Sequence, residues 1–181
     1  LAWRRLLAPA GGLDTAFGLR PSPGRGRAAA RATLALVAGG VVIDLVVALV
    51  EADRFVPHWT EWFDPDLAFG SSSTIAASLV SGVVVAPVFE EIVFRGLLYG
   101  SLRRLGGPSP TMRAWLPAGL ASALVFALAH GYGVGGFTSV LLSGLLWTWA
   151  YERTRSLLPG IVAHAVNNAI VSVTLLLLLR A

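Results

Sequence analysis

Apolar residues in this chain fall into five long runs, and polar residues are confined almost entirely to the breaks between them. The first run, 28–50, is interrupted only by Arg31 at its start and by Asp44. A helix of about 20 such residues crosses the hydrocarbon of a bilayer, so this run predicts a spanning helix. The second starts after Ser71, Ser72 and Ser73, which supply an N-cap, and continues to about position 100. The third covers about 114–130 and the fourth about 137–151. The fifth, about 157–179, carries Pro159 in a first turn that needs no amide donor. The pattern predicts an all-α, polytopic transmembrane helix bundle of about five spans.

The breaks alternate in charge. Residues 1–27 hold Arg4, Arg5, Arg20, Arg25 and Arg27 among Gly and Pro, and read as a basic cytoplasmic arm ahead of a transmembrane domain, 28–181. Residues 51–72 are acidic, with interfacial Trp59, Trp62 and Phe63. Arg103, Arg104 and Arg113 surround the next break, and Glu152, Arg153 and Arg155 the last. The positive-inside rule puts the N-terminus and the arginine-rich breaks in the cytoplasm and 51–72 outside.

Composition adds three constraints. Of the residues 55% are hydrophobic and only 13% charged, well short of the charge of a soluble domain. The net charge of +4 comes from arginine alone, placed where topology needs it. Nucleic acid is therefore not the expected partner, and the lipid bilayer is. The absence of Cys excludes disulfides, thiolate metal sites and a Cys nucleophile. An Ala-, Gly- and Arg-rich chain without Lys points to a GC-rich bacterial genome and so to a bacterial plasma membrane. No signal-peptide pattern is visible, and a start at Leu1 reads as a fragment.

A charged side chain within a spanning helix costs about 2.5–3.5 kcal/mol on the lowest scales, so those at membrane depth need an explanation. They are Asp44, Glu90, Glu91, Arg95, His130 and His164, joined by Asn167 and Asn168. Glu91 and Arg95 are four apart and can pair on one face. Glu90 is turned about 100° from Glu91, which leaves it for another partner. Pro87, one turn earlier, removes a helix hydrogen bond and can open a local cavity. His164 and Asn168, also four apart, point the same way and can hydrogen-bond between helices. A carboxylate, an imidazole on a second helix and a His/Asn pair on a third can perform hydrolysis: the first two take a proton from water, and the last two donate to an oxyanion. Asp44 has no evident partner. His58, in the acidic break, reads as ordinary surface, and topology accounts for every arginine except Arg95.

The run Phe89-Glu90-Glu91-Ile92-Val93-Phe94-Arg95-Gly96 resembles the EExxxR motif of the CAAX protease and bacteriocin-processing (CPBP, or Abi) family. Phe126 with His130 is similar to its second motif, and His164 with Asn168 to its third. The three stand in order over a core of about 81–171. The resemblance implies an intramembrane endopeptidase acting on a peptide or protein substrate at the membrane. It implies that Glu90 activates water with help from His130, that His164 and Asn168 stabilise the oxyanion, and that Glu91 with Arg95 holds the site together. The family has often been described as metalloproteases. Zinc on Glu90, His130 and His164 is the alternative to the preferred metal-free reading, in which no cofactor is required.

Straight helices of equal depth conflict with this set. If helix two runs unbroken to about Leu105, a rise of about 1.5 Å per residue puts Glu90 about 22 Å from the cytoplasmic turn, His130 about 30 Å and His164 only about 10 Å. Either the hairpin of helices two and three projects into the cytoplasm, or helices four and five are tilted or offset. Two further readings of the same residues are a non-catalytic immunity or scaffold protein of the family and a small transporter.

Overall fold

The computed structural model describes residues 18–19, 26–50, 70–105 and 112–179. Among these residues the chain forms helices and no strand. The helices are α1 (Gly26–Val50), α2 (Ser72–Leu105), α3 (Met112–His130), α4 (Val134–Thr154) and α5 (Leu158–Leu179). Of the expected arm, only Gly18, Leu19, Gly26 and Arg27 are among the described residues. The acidic segment up to residue 69, His58 included, lies outside them.

Each predicted helix is present. α2 begins as the three serines suggest: the Thr74 amide donates to Ser71 Oγ at 3.2 Å, and the Ser71 amide donates to Thr74 Oγ1 at 2.9 Å. It ends at Leu105, one turn later than expected. At 34 residues it reaches at most roughly 50 Å, well beyond a hydrocarbon core of about 30 Å. α3 stops at Gly131, whose φ of 67° is the left-handed closure that glycine permits.

Length and composition make α1, α2 and Leu158–Leu177 of α5 able to cross a membrane. α3 carries a shorter apolar stretch, Trp115–His130. α4 is the central helix, packed on α3 and α1 and touching α2 and α5. Its buried positions include Gly135, Gly136, Ser139, Ser143, Gly144 and Thr148, small residues that let helices approach closely. Five helices were expected, and five are present among the described residues; three are long and apolar enough to cross a membrane by length and composition alone, and α4 packs at the centre of the bundle. The outer faces expose Leu34, Leu49 and Val50 of α1, Val84 and Phe89 of α2, and Leu177 of α5. This is apolar surface for a bilayer to cover.

Two cores hold the bundle. One gathers Leu36, Phe126, Trp147, Ala150 and Ala163; the other gathers Tyr99, Trp115 and Ala118. Beside the second, Glu152 Oε2 accepts from the Tyr99 hydroxyl at 2.6 Å, and its Oε1 accepts from Arg103 Nε at 3.2 Å. Arg103 is itself buried, so topology alone does not account for it. The Ser156 hydroxyl donates to the carbonyl of Gly18 at 2.6 Å, which joins the N-terminal segment to the α4–α5 turn.

These contacts resolve the conflict of depths. Tyr99 is level with Glu152 at the end of α4, whereas Gly160, in the first turn of α5, lies against Glu91. Eight residues separate Tyr99 from Glu91, so α5 begins deeper than α4 ends, by at most roughly 12 Å. The offset of α5, one of the two expected remedies, brings His164 to the level of the glutamates.

Candidate active site

α2 is not a uniform α-helix. Val80–Val85 and Glu91–Tyr99 are π-helical, a form that recurs at functional sites. In the first of these segments the Ala86 amide donates to the Ser81 carbonyl, five residues back. In that register the next donor would be residue 87 and its acceptor Gly82. Residue 87 is Pro and has no N–H. Asn168 of α5 supplies the missing donor, its Nδ2 lying 2.8 Å from the Gly82 carbonyl. The gap that Pro87 opens in α2 is thus filled from α5.

The two glutamates have separate surroundings. Glu91 is 1% exposed and pairs with Arg95 Nη1 at 2.9 Å. Arg95 is fully buried, donates from Nη2 to the Gly144 carbonyl at 3.1 Å, and lies 4.3 Å over the Phe126 ring. A side chain at position 144 would come within 3.3 Å of Arg95 Nη2, so Gly144 gives Arg95 its access. Glu90 is 24% exposed and lines a cavity of about 310 Å³ between the helices.

His164 stands between the carboxylates. Its Nε2 is 3.6 Å from Glu90 Oε2, and its Nδ1 is 3.4 Å from Glu91 Oε1. Both separations exceed good hydrogen-bond length, so these are close polar contacts rather than hydrogen bonds. Trp147 stacks on the imidazole at a centroid distance of 4.3 Å and fixes its plane. The resemblance pairs Glu90 with His130; in the structure the imidazole of His164 lies against Glu90. His130 lines the same cavity, with Nδ1 2.8 Å from the Phe126 carbonyl. A carbonyl only accepts, so Nδ1 carries the hydrogen and Nε2 keeps its lone pair in the neutral ring. Asn168 also lines the cavity. One of its two amide hydrogens serves Gly82, which leaves one for another acceptor.

The structure therefore brings Glu90, His130, His164 and Asn168 to one cavity, with Glu91 and Arg95 behind them. Sequence reasoning missed Trp147, whose indole N–H is buried without a hydrogen-bond partner. It also left Asp44 unassigned. Asp44 lines the cavity and accepts a hydrogen bond from the Ser139 hydroxyl. Among the described residues, no three His, Cys, Asp or Glu side chains are arranged to hold a metal ion.

The helical bundle thus holds one cavity lined by Glu90, His130, His164 and Asn168, with the Glu91–Arg95 pair behind it. The family model for type II CAAX prenyl endopeptidases, Rce1-like, matches residues 72–170, and the chain belongs to that family. It is 27% identical over 139 residues to CAAX prenyl protease 2 of Caenorhabditis elegans, covering 67% of this chain and 48% of that protein. It is 28% identical over 100 residues to "Putative membrane peptidase YdiL" of Bacillus subtilis, covering 51% of this chain and 35% of the relative. The chain thus spans less than half the length of either relative. No solved structure matches it.

Proposed function

We propose that this chain is an intramembrane endopeptidase that hydrolyses a peptide bond of a membrane-associated protein or peptide. The observation that carries the reading is the division of labour between the glutamates: Arg95 engages Glu91, while Glu90 faces the cavity. A water molecule beside Glu90 gives its proton to the carboxylate, assisted by the Nε2 lone pair of His130. The resulting hydroxide adds to the scissile carbonyl carbon. His164 and the remaining Asn168 hydrogen donate to the oxyanion, in a water-poor site where such bonds count for more. Collapse breaks the C–N bond, and Glu90 returns its proton to the leaving amine.

The charge alternation of the breaks supports a cytoplasmic N-terminus, and the composition supports a bacterial plasma membrane. A second reading has its own support. Asn168 bonded to Gly82 and Glu91 bonded to Arg95 are ties that a non-catalytic scaffold of the family would also need. The discriminating experiment exposes purified protein in detergent to a mixed peptide library, with products read by mass spectrometry. Glu90→Gln should elute and melt like the wild type and cleave at least about 100-fold more slowly. Well-folded wild-type protein that cleaves nothing favours the scaffold, and an active Glu90→Gln variant removes Glu90 from the mechanism.

A further inference from the structure

A second cavity, of about 570 Å³, lies where the last turns of α4 meet the first turn of α3. Met112, Trp115, Trp149, Glu152, Arg153 and Arg155 line it. It shares no residue with the hydrolytic cavity. Trp149 and Arg153 are one turn apart on α4, and the Arg153 guanidinium lies 5.4 Å over the Trp149 ring. Stacking engages the face of a guanidinium and does not consume the N–H donors at its edge.

The lining is cationic. Glu152 is 8% exposed, and its charge is answered inside the protein: Oε2 accepts from the Tyr99 hydroxyl, and Oε1 accepts from Arg103 Nε and from Arg155 Nη2 at 2.8 Å. Arg155 is 60% exposed, so it presents further donors beside those of Arg153. Two guanidiniums with paired donors suit a phosphate, whose oxygens they can grip two at a time. Each helix also carries exposed apolar residues leading away from the cavity. Leu142 and Trp149 are seven apart on α4, and Leu120, Leu124 and Leu128 follow at intervals of four on α3. Such a surface suits acyl chains, and tryptophan with arginine at its end is the composition of a membrane interface. A free phosphate ion would gain nothing from it.

We propose that this cavity is a headgroup site for an anionic phospholipid: Arg153 and Arg155 bind the phosphate, Trp115 and Trp149 wall it, and the acyl chains lie along α3 and α4. The amine of a zwitterionic headgroup would be set beside two guanidiniums, so a headgroup of net negative charge is selected. Bound there, the lipid ties the first turn of α3 to the end of α4. The site does not depend on the cleavage reading, and its occupancy can be measured without a substrate.

The test uses purified protein, stripped of lipid in dodecyl maltoside, and three probes: dioleoylphosphatidylglycerol, dioleoylphosphatidylcholine and inorganic phosphate. Binding is read from the concentration dependence of thermal stabilisation. The wild type should bind the glycerol lipid at least about tenfold more tightly than the choline lipid. Arg153→Gln with Arg155→Gln should lose the preference. Arg27→Gln with Arg31→Gln, which removes the same charge from the start of α1, should keep it. Equal binding of the two lipids by the wild type overturns the proposal, as does a preference that the α4 pair keeps or the α1 pair abolishes. Inorganic phosphate that stabilises as well as the glycerol lipid at equal concentration overturns the lipid assignment. A further variant covers an α4 pair that does not fold. Arg153→Gln alone leaves the bonds of Glu152 intact, and it should weaken binding of the glycerol lipid at least about threefold with the choline lipid unchanged; undiminished binding overturns the proposal.

Discussion

Replacing Arg95 by Ala tests whether that side chain holds the site or takes part in it. The guanidinium is fully buried, and its partner Glu91 is 1% exposed. Truncation leaves the Glu91 carboxylate buried without its cation, a change that costs about 3–5 kcal/mol. The Gly144 carbonyl keeps the Thr148 hydroxyl, 2.8 Å away, and so is not stranded. The stacking of Arg95 on Phe126 adds to the loss. For a chain of this size each kcal/mol moves the melting point by about 2–4 °C, giving a drop of roughly 6–20 °C. Removing both charges together, as Glu91→Met with Arg95→Met, should recover most of it, because an apolar pair carries no unpaired charge. The assay is the monodisperse fraction after heating in detergent, for the wild type, both single variants and the double. A fully stable but inactive Arg95→Ala protein would refute the structural role and put Arg95 at the substrate. A double variant no better than Arg95→Ala would refute the assignment of the loss to the stranded carboxylate.

Four other outcomes are expected. Gly160→Ala places a Cβ 2.7 Å from Glu91 Oε2, so it should displace Glu91 and lower both cleavage and melting temperature; a variant with unchanged activity would show that the carboxylate has room to shift. Asn168→Ala strands the Gly82 carbonyl at a cost of about 1–3 kcal/mol, and Pro87→Ala, which restores an N–H in the π register, should return much of that stability. Protein stripped of metal, with removal checked by elemental analysis, should cleave at an unchanged rate; activity that vanishes and returns with stoichiometric zinc would redraw Glu90 and the histidines as ligands. Single cysteines at positions 60 and 105 should label from opposite sides of the membrane, and same-side labelling would reject the topology.

The helices were legible because a bilayer imposes a length of apolar sequence that no soluble element needs. The Glu91–Arg95 pair was legible because four-residue spacing survives the change from α- to π-helix: the ions still meet at 2.9 Å. Depth was not legible. It depends on where α5 starts relative to α4, which Glu152 with Tyr99 and Gly160 beside Glu91 settle through contacts between distant segments. The bond between Asp44 and the Ser139 hydroxyl was hidden for the same reason, since the two lie 95 residues apart. His164 was read as an oxyanion donor beside Asn168, and its place between both glutamates follows from the offset alone.

Pro87 joins the two kinds of information. Its missing donor is readable in any sequence, but the carbonyl it leaves open depends on the local helical register. In an α-helix the orphan would be Val83; in the π register it is Gly82, the carbonyl to which Asn168 donates. One side chain thereby fixes α5 against α2 eight residues before Glu90 and four residues after His164, which faces both carboxylates. The placement of His164 and Asn168 relative to Glu90 is accordingly tied to Pro87 through the Gly82 carbonyl. Any substitution that returns α2 to a uniform α-helical register should therefore separate these groups, even though it touches none of them.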